Sequence, residues 1–184
     1  MRINQRLQAF NEQRLALLAE METLDPADLV ARPLPGKWSI LEIVEHLAVA
    51  ERSVFQNLAD LSQLRDRKRR MKHRLLHGVV LFVLRTHIPV QVPSPAMLPQ
   101  GGRSLAEIRR LWDESQEWVR VYLNYLGPEG ARRAVLRHPV AGPLTVEQAV
   151  RMNQIHFNTH VRQIAERQKL LNGREPLNGG GKSA

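Results

Sequence analysis

Cysteine is absent from the 184 residues. Disulfides, thiolate zinc sites, iron–sulfur clusters and a cysteine nucleophile are therefore excluded. Long hydrophobic runs are missing as well. The longest apolar stretch, Val79 to Leu84, falls far short of the ~20 residues that span a bilayer. Met1 to Glu20 interleaves charged and apolar residues, without the continuous apolar core of a secretory signal. The expectation is a cytoplasmic protein. No Gly-rich phosphate loop, nucleotide fingerprint or Ser-His-Asp order is present.

What is there is ordinary in bulk. Apolar residues make up 43% and charged residues 24%, as in soluble globular domains. The length suits one domain. We place it at residues 1–172, followed by a glycine-containing tail, 173–184. The charge is +9 but uneven. Arg65 to Arg74 holds seven basic residues against Asp66, a net +6. Such a run can meet nucleic acid, an anionic membrane or a second subunit. It can equally be a solvated helix face, and little aromatic interleaving accompanies it.

Four amphipathic segments carry helical spacing. The first runs from Ile3 to Leu24, with Leu7, Phe10, Leu17, Leu18 and Met21 in register, and Asp25-Pro26 breaks it. The second starts at Ser39, whose spacing to Glu42 is that of a capping box. Its apolar stripe is Ile40, Ile43, Val44, Leu47 and Leu58, and Trp38 is placed to staple its start. The third starts at Ser104 with Glu107, carries Ile108, Trp112, Val119 and Leu123, and ends at Gly127-Pro128. The fourth starts at Thr145 with Gln148 and fades near Leu171, with Val146, Ala149, Val150 and Ile164 as core positions. A shorter helix is expected from Met71 to Arg85, before a proline-rich connector. His138-Pro139 and Gly142-Pro143 are expected in a loop. The pattern predicts an all-α fold, a four-helix bundle with an elaborated crossover between its second and third helices.

The fourth helix carries the chemistry. His156 and His160 are four residues apart, so their imidazoles lie only about 40° and ~6 Å from each other on the helix. Both can reach one metal ion. His46, beside the apolar stripe of the second helix, can supply a third nitrogen. Three histidines leave open positions for water or substrate, as catalytic metal sites do. Asn153, His156, His160 and Gln163 form one polar strip. Asn153 and Gln163 are therefore expected to orient an imidazole or a bound water. The competing reading is a partly exposed pair that binds nothing. Phe157 follows His156, so the zinc-protease HExxH pattern fails.

The other histidines are weaker candidates. His73 and His77 lie in or beside the basic run, which opposes a cation. His87 has no partner at helical spacing, and His138 reads as a turn residue. Glu42 is accounted for by its cap. Glu45 and Glu51 are expected on solvated faces, with no general-base role assigned.

These residues resemble the DinB/YfiT-like superfamily of bacterial metal-binding four-helix proteins. The resemblance rests on Lys37-Trp38-Ser39-Ile40 leading to Glu45-His46-Leu47 and Glu51. It continues through Val92-Pro93-Ser94-Pro95 and His138-Pro139-Val140-Ala141-Gly142 to Asn153-Gln154-Ile155-His156-Phe157-Asn158-Thr159-His160-Val161-Arg162-Gln163-Ile164. It implies one divalent ion, zinc or nickel, on His46, His156 and His160, and a homodimer. It also implies a small-molecule substrate. Some relatives transfer low-molecular-weight thiols or isomerise with them, and others carry a metal-dependent hydrolase label. Many members have aspartate where this chain has Phe157. Three functions follow: a metal enzyme activating a thiol or water, a metal- or ligand-binding protein without turnover, and an interaction module using residues 65–74.

Overall fold

A computed structural model describes residues 3–56, 70–86, 94–138 and 140–173. Leu58, residues 65–69 of the basic run, His87 and the tail from residue 174 lie outside them. The elements are α1 (Ile3–Glu22), α2 (Pro26–Val30), α3 (Ile40–Gln56), α4 (Met71–Arg85), a 3₁₀ turn (Pro95–Met97), α5 (Leu105–Ala131), β1 (Ala134–His138), β2 (Gly142–Thr145) and α6 (Val146–Asn172). The chain is a four-helix bundle, in which α1 and α3 each pack against both α5 and α6. The long connection between α3 and α5 contains α4, which lies against α6, and the 3₁₀ turn, which lies against α3. No helix of the described residues is long and apolar enough to cross a membrane.

All three capping boxes form. The Ser39 amide donates to Glu42 and the Glu42 amide to the Ser39 hydroxyl, at 2.8 and 3.2 Å. Ser104 with Glu107 and Thr145 with Gln148 repeat the exchange. Each box satisfies two of the amides that a helix start leaves unpaired. They fix where α3, α5 and α6 begin, and hence which residues face inward.

The region expected to be a loop after α5 is a hairpin. Gly127 breaks α5 with φ 62°, and one further turn reaches Ala131. β1 then pairs antiparallel with β2, with Leu136 opposite Leu144 and His138 opposite Gly142. Leu136, Ala141 and Leu144 are buried. The His138 ring accepts from the amides of Val140 and Ala141, at 3.1 and 3.0 Å. His138, expected in a loop, is the last residue of β1, and its ring holds the turn that follows.

Glu45 and Glu51 are not solvated. Both are at most 2% exposed. Glu51 divides the core in two. One cluster gathers Phe10, Leu18, Ile43, Trp112, Phe157 and Ile164, and the other gathers Phe55, Val119, Leu123, Leu144 and Val150. Between them, Glu51 of α3 accepts from Trp112 Nε1 at 3.0 Å, Gln116 Nε2 at 2.5 Å and Asn153 Nδ2 at 3.0 Å. One carboxylate thus bonds α3, α5 and α6 across the bundle axis. Three donors offset part of the cost of burying it. Burial still raises its pKa to about 7, against the lowering effect of those donors and of Arg14.

Candidate metal centre

The fold brings the three predicted histidines together. His46 comes from the second turn of α3, and His156 and His160 from the middle of α6. His156 Nε2 lies 3.2 Å from His46 Nε2 and 3.0 Å from His160 Nε2. His46 is buried, His160 nearly so, and His156 keeps partial access to solvent. Among the described residues this group is the candidate metal cluster, and it contains no carboxylate.

The remaining ring nitrogens fix the tautomers. His46 Nδ1 donates to the Met97 carbonyl at 2.6 Å, because a carbonyl can only accept. His160 Nδ1 pairs with Gln163 Oε1 at 3.0 Å, which likewise makes it the donor. The Nε2 atoms of both rings therefore carry lone pairs, and both point at His156 Nε2. One proton on His156 can satisfy one of those lone pairs but not two. A cation satisfies all three nitrogens at once. With imidazole–metal bonds of about 2.0–2.1 Å, two ligating nitrogens stand about 2.9–3.4 Å apart for angles between 90° and tetrahedral. The two separations from His156 fall in that range, and the three ligand atoms all lie within 4.8 Å of one another.

Burial also keeps the rings neutral, as ligation requires. It lowers the His46 pKa, with the Met97 carbonyl opposing. His156 is lowered well below the usual range by burial, and then by the neighbouring His160 and His46. His160 falls to about 4 through burial and His46, with Gln163 opposing.

The supporting residues were only partly anticipated. Gln163 makes an imidazole contact, whereas Asn153 turns its amide to Glu51. Trp38 lies against the site, its ring 4.8 Å from that of His46 and 6.4 Å from that of His160. Glu45 holds the loop after the 3₁₀ turn. Its carboxylate accepts from the Gln100 and Gly101 amides at 3.2 and 3.1 Å and pairs with Arg103. That loop follows directly on Met97, so Glu45 fixes the carbonyl that orients its own neighbour, His46. Phe157 turns into the core, edge-on to Phe10 at 5.4 Å and tilted on Trp112 at 6.2 Å. His73 and His77 lie on α4, away from the cluster. The His73 ring packs so close to Gly142 that a Cβ there would approach it to 2.9 Å.

Comparison with known proteins agrees with this architecture. A family model described as the DinB superfamily matches residues 9–164. The four-helix bundle protein TT2238 superposes with a TM-score of 0.51 at 23% identity, over 89% of this chain and 96% of that one. YfiT from Bacillus subtilis superposes with a TM-score of 0.57 at 16% identity, over 92% of this chain and 87% of that one. YfiT is described as a probable metal-dependent hydrolase with an unusual four-helix bundle topology. No curated protein sequence matches the chain.

Proposed function

The chain belongs to the DinB superfamily, and from that premise we propose that it is a divalent-metal-dependent enzyme activating water or a small thiol at His46, His156 and His160. The observation that carries this reading is the convergence of three Nε2 atoms, two of them held as lone pairs by Met97 and Gln163. Zinc or nickel suits an all-imidazole donor set. Such an ion, when bound, supplies Lewis acidity toward an oxygen or sulfur nucleophile.

The chain's own residues set the conditions. Three neutral ligands leave the ion's charge undiminished, which favours acidification of whatever occupies the open positions. Trp38 covers one side of the imidazoles and limits water there. Among the described residues the cluster contains no carboxylate, so none of its members is assigned as a general base. A thiol co-substrate comes from outside, because the chain has no cysteine. The relative described as a probable metal-dependent hydrolase supports the hydrolytic form of the reading.

The test is turnover. Purified protein loaded with zinc or nickel is screened against ester, amide and epoxide substrates, with and without small thiols. Metal-dependent turnover abolished by His156→Ala is the expected result. Stoichiometric metal without turnover across that panel favours the non-catalytic metal-binding reading.

A further inference from the structure

Helix α4 forms over Met71–Arg85, as the sequence predicts. Met71, Leu75, Val79 and Phe82 follow one another at steps of four, four and three. That spacing puts them on one face of a helix. They are 73, 68, 55 and 63% exposed. The opposite face of α4, with His77 and Leu81, is buried against the bundle. The exposed stripe thus belongs to a helix that already has its core contact. At 100° per residue, Arg74 and Arg85 flank the stripe on one side and Lys72 on the other. Arg70 stands exposed at the N-cap. Among the described residues none of these four cations makes an ion pair. The sequence has no Asp or Glu from Arg67 through Ala106.

We propose that this face of α4 docks on a lipid surface bearing anionic headgroups. Interfacial helices bury an apolar stripe at the boundary between headgroups and acyl chains, and place Lys and Arg at its margins, where they meet phosphates. Long basic side chains reach outward from such margins while their stems lie on apolar surface. Both features are present on α4 in that arrangement. Charge complementarity selects this occupant over two others. A second copy meeting α4 through a twofold axis would set the cationic margins of one helix against those of the other, with no acid on either helix to pair them, and like charges oppose that docking. Duplex nucleic acid would satisfy the cations but leave four exposed apolar side chains without a partner. The proposal stands apart from the histidine site, since no residue of the stripe belongs to it.

The experiment is vesicle co-sedimentation of the full chain, with phosphatidylcholine vesicles compared with vesicles containing 30% phosphatidylglycerol. Two variants are compared with wild type: Leu75→Ser/Phe82→Ser, which removes the stripe, and Lys72→Glu/Arg74→Glu, which reverses the margin. All four positions are exposed, so unchanged helicity and melting temperature confirm that both variants fold. Expected are at least ~10-fold preference for the anionic vesicles and at least ~10-fold loss in either variant, since each cation near such a surface contributes about a fivefold factor. Binding weakens as salt rises. Equal binding to both vesicle types, or anionic binding that survives Leu75→Ser/Phe82→Ser, overturns the proposal. So does a wild-type dimer that this variant converts to monomer without any vesicle binding, which assigns the face to a second copy. Salt-sensitive binding to duplex DNA without vesicle binding assigns the cations to nucleic acid and likewise overturns it.

Discussion

His46 Nδ1 and the Met97 carbonyl stand 2.6 Å apart, although the two residues are 51 positions apart in sequence. That contact couples α3 to the connector and fixes the tautomer of one candidate ligand. Glu45, the residue before His46, holds the same connector three and four residues beyond Met97, at Gln100 and Gly101. Residues that support a metal ligand commonly change affinity by about 10–100-fold when removed. Glu45→Ala is expected to weaken zinc affinity by about tenfold while the three histidines remain. Competition with a fluorescent chelator measures this. Affinity equal to wild type would show that Met97 needs no anchor.

Gln163→Ala removes the acceptor of His160 Nδ1 and leaves that ring free to change tautomer. The expected loss is again about tenfold in metal affinity. Gln163→Glu keeps an acceptor and is expected to retain most of the affinity. If both substitutions behaved alike, the Gln163 contact would be incidental.

Glu51 makes stability depend on pH. Its pKa is raised to about 7 in the fold, so between about pH 4.5 and 7 the folded chain holds a proton that the unfolded chain has lost. Its contribution is therefore fully present at low pH and declines as pH rises through about 7. The loss is on the order of 3 kcal/mol. Denaturant unfolding of wild type and Glu51→Gln at pH 5 and pH 8 isolates it. The wild type is expected to lose ground to the variant at the higher pH. A constant difference between them would mean that Glu51 is charged throughout.

Phe157 tests the departure from the aspartate common at this position in the resembling family. The ring is buried between Phe10 and Trp112. Phe157→Ala is expected to cost about 3–5 kcal/mol, and Phe157→Asp more, because it adds a charge without a partner. Thermal melts check this. A stable Phe157→Asp variant would show that the position can turn toward the imidazoles.

Much of this architecture was legible because it is local. Ser39 with Glu42, Ser104 with Glu107 and Thr145 with Gln148 each announce a helix start within four residues. His156 and His160 announce a shared face by their spacing alone. The contribution of His46 depends on which helices become neighbours, and periodicity does not encode that. Met97 was illegible for a different reason: it acts through a backbone carbonyl, which every residue possesses. Glu51 left a signal that its charge concealed. Leu47, Glu51 and Phe55 follow at steps of four, so Glu51 lies within the apolar stripe. The hairpin escaped because Pro143 and Gly142 read as loop residues, while the burial of Leu136, Ala141 and Leu144 holds the strands together.

The central claim is that three imidazoles from two helices hold one divalent ion. The most direct measurement is elemental analysis of the purified, untagged protein, as isolated and after loading with zinc or nickel, beside His46→Ala, His156→Ala and His160→Ala. The account predicts about one ion per chain in the wild type and its loss in each variant. Wild-type protein free of metal after loading, or a His46→Ala variant with unchanged metal content, would contradict it.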